Sequence, residues 1–146
     1  MFPHGLLFHH FHDDRHPPGQ GSLSAEDFAD IIRFVGRDRI LPARDWMDRA
    51  IAGDLDDGDL CLSFDDNLRC QFDIAAPVLR DLGLTAFWFI YTSPLAGAVE
   101  RLEIYRYFRS TCFDGVDEFY ASFDDSLAAT AFADEVAAAM TGVDTD

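Results

Sequence analysis

An apolar segment that ends in two adjacent carboxylates constrains the fold of this chain more than any other feature. Residues Leu60–Phe64 have the composition of a buried strand, and Asp65 and Asp66 follow it directly. Reactive groups collect in α/β folds where strands end and loops begin. Two adjacent carboxylates are costly to hold together unless a metal ion or a proton compensates their charge. The pattern therefore predicts either a functional site or a capped turn, in which Asp66 or Asn67 begins the next helix.

The segments that follow the two aspartates predict a βαβ unit. Residues Leu68–Leu82 have a helical pattern that contains Pro77, which is expected to kink the helix. The residues expected to face inward from this helix are Phe72, Ala75, Ala76 and Leu79. Residues Leu84–Tyr91 are dominated by aromatic and β-branched side chains, which predicts a strand buried on both faces. Because two strands joined by one helix should be parallel, we assign the chain to the α/β class with a small parallel sheet.

The remaining segments complete this prediction. Residues Gly5–Phe11 are a candidate for the first strand. Ser24 and Asp27 form a capping-box pattern at the start of a helix that Gly36 stops. Further helices are predicted between Pro42 and Gly53 and at Val99–Ser110, Asp114–Phe123 and Ser126–Met140, and Val143–Asp146 should be frayed. Since no linker divides the chain, we expect residues 1–146 to form a single domain.

The charge balance of the chain limits its partners. All 11 basic residues are arginines, and 27 acidic residues leave a net charge of −16. Such a surface repels nucleic acid and anionic membranes, and it favours neutral or cationic partners and divalent cations. The sequence has no signal-peptide pattern and no apolar stretch long enough to span a bilayer. We therefore expect a cytoplasmic protein without a membrane span.

A second copy of the Ser-Phe-Asp-Asp sequence occurs near the C-terminus. Residues Ser122–Asp125 repeat the tetrapeptide Ser63–Asp66. The second copy follows a helical pattern instead of an apolar strand, and Ser126 after it has the character of a helix start. We interpret it as a junction between two helices, without a functional role.

The first copy and its surroundings resemble a known family. Residues Leu62–Asn67 resemble the first motif of the polysaccharide deacetylases, the NodB-homology carbohydrate esterases, which is usually Thr-Phe-Asp-Asp-Gly. Residues Ala76–Phe89 resemble the family stretch in which a helix ends in Leu-Gly and an aromatic strand follows. Residues Phe8–His12 resemble the histidine-bearing first strand of many members. The resemblance covers roughly Gly5 to Thr92.

This resemblance implies a fold and a chemistry. The fold is expected to be the N-terminal portion of an irregular (β/α) barrel, with parallel strands, flanking helices and a helical C-terminal segment. The implied reaction is the hydrolysis of acetyl groups from a sugar or polysaccharide precursor with the help of a divalent metal such as zinc. The family pattern makes Asp65 the general base and Asp66 a metal ligand. Asn67 stands where the family usually has Gly.

The histidines depart from the family pattern. The family's second motif, His-Ser/Thr-x-x-His, supplies two metal ligands after the first motif, but all histidines of this chain precede Asp65. They are His4, His9, His10, His12 and His16. We expect His10, at the end of the first strand, and His12 to bind the substrate; the alternatives are a satisfied core or rim histidine for His10 and a solvated loop for His12. His12 and His16 have the i, i+4 spacing of the missing motif, so their loop is either a substitute metal site or solvated.

The length of the chain leaves two functions open. A full (β/α) barrel needs about 250 residues, so this chain supplies only about half of one. It is expected to be either the N-terminal part of a longer deacetylase or a shortened, inactive relative. The alternative function is a non-catalytic carbohydrate-binding or interaction module on a degenerate barrel. A half-barrel also leaves strand edges open, which predicts pairing between two chains in a homo-oligomer.

Overall fold

A three-stranded parallel sheet with the order β1-β2-β3 organises the N-terminal part of the chain. The structure is a computed structural model, and it describes residues 3–141. The strands are β1 (His4–Phe8), β2 (Leu60–Phe64) and β3 (Phe87–Trp88). The α-helices are α1 (Ala25–Val35), α2 (Ala43–Ala52), α3 (Ala76–Asp81), α4 (Arg101–Cys112), α5 (Val116–Ala128) and α6 (Ala133–Met140). This architecture confirms the predicted α/β class with parallel strands.

Strand β2 is the centre of the sheet and of the core. Its residues Leu60, Leu62 and Phe64 are buried, and β1 and β3 pair with it on either side. The predicted bounds of this strand are confirmed, because a short run that is apolar on both faces is stable only between two neighbours. The buried apolar cluster around it consists of Phe11, Phe28, Ile32, Ile40, Leu60, Leu62, Phe64, Cys70, Ile74, Ala75, Leu79 and Leu84.

Helix α1 closes one face of this core. The Ser24 hydroxyl accepts a hydrogen bond from the backbone N–H of Asp27, and the Asp27 carboxylate accepts one from the backbone N–H of Ser24, which confirms the capping box. Gly36 ends the helix with a φ of 92°, a backbone conformation that glycine adopts without steric cost. Phe28 is fully buried and contacts the rings of Phe8 and Phe64, with centroid distances of 4.9 and 6.0 Å.

The predicted helix Leu68–Leu82 is present but is not regular. Residues Gln71–Ala75 form a π-helical turn, in which the backbone N–H of Ala76 donates to the carbonyl of Gln71. Pro77 has no N–H and its ring would clash with the carbonyl four residues earlier, so the wider turn before it relieves the conflict. The extra residue also rotates the helix surface. Phe72, predicted to face inward, is instead 65% exposed, while Ala75 and Leu79 are buried as predicted.

The prediction of a doubly buried strand over Leu84–Tyr91 is wrong. Only Phe87–Trp88 pairs as strand β3, in parallel with β2. Among the described residues β3 has a neighbour on one side alone, and the strand ends at Trp88. Phe89 and Ile90 are 60% and 48% exposed. The first strand is also shorter than predicted, since β1 ends at Phe8 and not at Phe11.

The C-terminal region is helical, as predicted, with different boundaries. Residues Ser122–Asp125 lie inside α5, so their prediction as a helix junction is wrong. The Ser126 hydroxyl donates to the Ser122 carbonyl within the helix and does not cap a new helix. The prediction for Val143–Asp146 lies outside the described residues.

The chain divides into two compact units. The first is Met1–Arg101, which contains the sheet, and the second is Leu102–Asp146, which contains the C-terminal helices. The single domain predicted for residues 1–146 stays a prediction. No helix within residues 3–141 combines the length and the apolar character that crossing a bilayer requires.

Two phenylalanines of α1 provide a test of this core. Phe28 is fully buried, and Phe34 on the same helix is 91% exposed. We expect Phe28→Ala to lower the free energy of unfolding by about 3–5 kcal/mol, because it removes a buried ring and leaves a cavity. The matched control Phe34→Ala should change it by less than about 0.5 kcal/mol. Urea unfolding followed by circular dichroism measures both, and equal effects would contradict this description of the core.

Candidate metal centre

The ends of β1 and β2 bring a histidine and two aspartates together. Phe8 pairs in register with Phe64, so the residues that follow them, His9 and Asp65, emerge at the same edge of the sheet. The Nε2 atom of His9 lies 3.1 Å from Oδ1 of Asp65 and 4.0 Å from Oδ2 of Asp66. One imidazole thus faces two carboxylates.

The backbone after Asp65 explains how consecutive aspartates face the same histidine. Side chains of consecutive residues in an extended strand point to opposite faces. Asp66 and Asn67 have φ angles of 62° and 56°, in the left-handed region, so the chain reverses at once after the strand. Asp and Asn tolerate this region better than other residues with a side chain. Asn67 is therefore compatible with the turn in which the resembling family usually has Gly.

The alternative interpretation of this turn as a helix cap has little support. The helical stretch that follows begins at Arg69, and Asp66 and Asn67 have left-handed φ angles, whereas an N-cap residue usually lies in the β region. Within residues 3–141, neither Asp66 nor Asn67 accepts a hydrogen bond from the start of this segment. The left-handed backbone conformation of Asp66 and Asn67, and not a capping hydrogen bond, determines the shape of this acidic turn.

The carboxylate of Asp65 lacks a hydrogen bond at one of its oxygen atoms. Its Oδ1 atom is buried and lies near His9 Nε2, but the contact does not have the alignment of a hydrogen bond. A buried polar atom without a hydrogen bond costs about 1–3 kcal/mol, and more when the group is charged. A bound cation or a proton at this position would remove that cost.

The three side chains fit a divalent metal ion by chemistry and by spacing. Their ligand atoms all lie within 4.8 Å of one another. Bonds of about 2.0–2.2 Å to a tetrahedral zinc ion place its ligand atoms about 3.3 Å apart. The separations of His9 Nε2 from Asp65 and Asp66, 3.1 and 4.0 Å, are on either side of this value. Imidazole nitrogen and carboxylate oxygen are both common zinc ligands. The side chains of His9, Asp65 and Asp66 are 41%, 30% and 41% exposed, which leaves the group accessible to solvent.

His9 is the residue that the sequence analysis missed. The first strand was predicted to reach Phe11, which placed His10 and not His9 near its end. The available signal was the likeness of Leu7-Phe8-His9 to Ser63-Phe64-Asp65, in which a polar residue follows a phenylalanine at a strand end. The observed register pairs these two phenylalanines.

The two histidines predicted to bind substrate lie outside this group. The ring of His10 stacks against His9, with centroids 6.2 Å apart, and its carbonyl accepts a hydrogen bond from Leu23. The ring of His12 lies with Nδ1 2.9 Å from the Ser22 hydroxyl, and it lines an open groove of about 770 Å³. Their roles in binding a substrate stay predictions.

His16 has a structural partner instead of a place in a second metal site. Its Nε2 atom lies 3.2 Å from Oδ2 of Asp73, which is in the π-helical turn. Arg69 donates a hydrogen bond of 2.9 Å to the other oxygen of Asp73. Within residues 3–141, the group of His9 and the two aspartates alone has the proximity of a metal site. The His12–His16 spacing therefore does not produce one.

The pKa of Asp73 reflects this pairing. Partial burial raises the pKa of the carboxyl group, but the hydrogen bonds from Arg69 and His16 outweigh it. The net result is a pKa below the usual value of 3.8. The pairing ties the histidine-bearing loop to the helix that follows the acidic turn.

Comparison with known proteins identifies no relative. No protein-family model, no curated protein and no solved structure matches this chain. Any assignment of function therefore depends on the residues and their geometry.

The lowered pKa of Asp73 predicts a pH-dependent contribution to stability. A carboxyl group whose pKa is lowered on folding stabilises the fold above its unfolded pKa, near 3.8, and loses this effect as the pH falls through its folded pKa. We expect Asp73→Asn to be less stable than the wild type at pH 5–7. The difference should shrink as the pH falls from about 4 towards 2.

Urea unfolding of both proteins over this pH range measures the effect. Asp38→Asn is the control, because the Asp38 side chain is fully exposed. A difference between Asp73→Asn and the wild type that stays constant down to pH 2 would contradict the prediction.

Proposed function

We propose that this chain carries the catalytic and metal-binding residues of a metal-dependent carbohydrate deacetylase, on the N-terminal portion of an irregular (β/α) barrel of the NodB-homology type. The observation that carries the proposal is the convergence of His9, Asp65 and Asp66 at the carboxyl edge of a parallel sheet. Enzymes built on parallel α/β sheets place their active sites at this edge. The resemblance of residues Leu62–Asn67 to the first family motif supplies the reaction class.

The three side chains have different roles in this proposal. His9 and Asp66 hold the ion, because an imidazole nitrogen and a carboxylate oxygen from two strand ends can share it. The bound metal would polarise the acyl carbonyl and lower the pKa of a water molecule. Asp65 removes a proton from the attacking water, since its carboxylate lies beside the proposed ligand His9. His9 thus supplies from β1 a histidine ligand that the family takes from its second motif.

The proposed substrate is an acetylated sugar or polysaccharide precursor. The net charge of −16 supports an uncharged or cationic substrate and argues against nucleic acid. The groove lined by His12 has the volume of a small-molecule site, but its lining does not include His9, His10, Asp65 or Asp66. In this proposal His12 and His10 contact the sugar. The enzyme is cytoplasmic, and its open strand edges pair between chains in a homo-oligomer.

A non-catalytic carbohydrate-binding module is the second candidate, and one observation favours it. Trp88, Phe89 and Tyr91 expose 38%, 60% and 39% of their surface beside the end of β3. Trp88 stacks on Phe64 with centroids 4.4 Å apart, so its orientation is defined. Flat, rigid aromatic faces are suited to contact with the apolar faces of sugar rings. Sugar binding that persists after chelation, without release of acetate, would support this candidate.

Metal titration tests the ligand set. We expect the wild type to bind Zn²⁺ or Co²⁺, and His9→Gln and Asp66→Asn to weaken binding by about tenfold or more, because an amide is a poorer donor than imidazole or carboxylate. Isothermal titration calorimetry measures the affinity. The chain contains a matched control, Asp125→Asn, in the second Ser-Phe-Asp-Asp sequence within α5. Affinity unchanged in His9→Gln and Asp66→Asn would remove the proposed centre.

Acetate release tests the role of Asp65. On an acetylated oligosaccharide, we expect slow hydrolysis by this chain that stops when a chelator is added. Asp65→Asn should keep the metal but lower kcat by about 10²–10⁴-fold, the usual contribution of a general base. The same control, Asp125→Asn, should keep full activity. Asp65→Asn with wild-type kcat, or activity that resists chelation, would contradict the proposed mechanism.

A further inference from the structure

The side chain of Gln71 connects the two strand ends that form the candidate metal centre. Its amide nitrogen Nε2 donates one hydrogen bond of 2.9 Å to the carbonyl of His9 and another of 2.8 Å to the carbonyl of Asp65. Gln71 is fully buried, and it is the one buried polar side chain among residues 3–141. Both N–H groups of the amide therefore donate to backbone carbonyls of the candidate site, those of His9 and Asp65.

These two hydrogen bonds connect the chain after β1 to the chain after β2, beyond the last backbone pair. The backbone ladder between β1 and β2 ends at Phe8 and Phe64, one residue before the site. Beyond that point the Gln71 amide bridges the carbonyl groups of His9 and Asp65. Holding a carbonyl fixes the orientation of its peptide plane, and with it the direction of the side chain on the same residue. The bridge thus controls the distance between His9 and Asp65.

The oxygen atom of the Gln71 amide lowers the stability of the fold. Its Oε1 atom is buried and has no hydrogen-bond partner. Rotating the amide would not help, because Oε1 would then face two carbonyl oxygens. A buried acceptor without a partner is destabilising, whereas an apolar side chain of the same shape would avoid that penalty. Packing alone therefore does not account for glutamine at this position, while its two donated bonds do.

The local helix geometry places Gln71 at this point. It begins the π-helical turn Gln71–Ala75, and its own backbone N–H donates to the carbonyl of Leu68. π-Helical turns occur frequently at functional sites, since the extra residue redirects side chains. Here the turn directs Gln71 into the core and leaves its neighbour Phe72 exposed.

We propose that Gln71 is a positioning residue, which sets the spacing of His9 and Asp65 for metal binding and proton transfer. This inference rests on the proposed function of the same site. Gln71 acts through the backbones of His9, the proposed ligand, and Asp65, the proposed base, because its two hydrogen bonds go to their carbonyl groups. Residues that orient metal ligands from behind typically change metal affinity by 10–100-fold when they are mutated.

The test compares Gln71→Met with a control of similar burial. Methionine keeps the length and approximate volume of the side chain and removes both donors. We expect Gln71→Met to remain folded and to bind Co²⁺ about 10–100-fold more weakly than the wild type, with a changed visible absorption band of the bound ion. The control Ile74→Val alters the same buried turn and should lower the urea midpoint without changing Co²⁺ affinity. Unchanged affinity in a folded Gln71→Met would overturn the proposal.

A second readout separates this inference from the proposed function. In the metal-free protein, Gln71→Met should shift the imidazole ¹⁵N resonances of His9 and leave those of His12 unchanged. If the wild type binds no metal but the His9 resonances move, the proposed function fails and the positioning role stands. If the resonances do not move, the positioning role fails. Should Gln71→Met not fold, slow hydrogen exchange of both Nε2 protons in the wild type supports the bridge, and fast exchange overturns it.

Discussion

The parallel pairing of β1 with β2 is the interaction on which the rest of this structure depends. It places Phe8 beside Phe64, and Phe28 from α1 packs against both rings. The same register brings His9 and Asp65 to one edge of the sheet. A shift of one residue would turn the side chains of β1 to the opposite face, so the core and the candidate site would be lost together.

The energetic costs of the first unit concentrate around the candidate site. Asp66 and Asn67 adopt left-handed backbone conformations, and Asp65 and Gln71 each have a buried oxygen without a hydrogen bond. Strained backbones and unsatisfied polar atoms cluster at functional sites, because they persist only where the surrounding fold enforces an unfavourable local arrangement. The core formed by α1 and the sheet is rigid enough to supply that support, since its largest side chains are fully buried.

The edge of the sheet at β3 contrasts with this well-packed region. The strand has only two residues, and apolar side chains stay exposed after it. An exposed apolar strand edge is a surface suited to interaction, and the proposed non-catalytic module would use it to contact sugar rings. The stacking of Trp88 on Phe64 links this surface to the strand that carries the aspartates.

Local chemistry determined the features that the sequence predicts correctly. The bounds of β2, the capping box of Ser24 and the stop at Gly36 depend on residues a few positions apart, so the sequence reveals them. Tertiary structure decided the rest. The exposure of Phe72 follows from a π-helical turn before a proline, and within residues 3–141 the short β3 pairs with β2 alone. The partnership of His9 with Asp65 depends on the register between strands more than fifty residues apart, and no local pattern determines such a register.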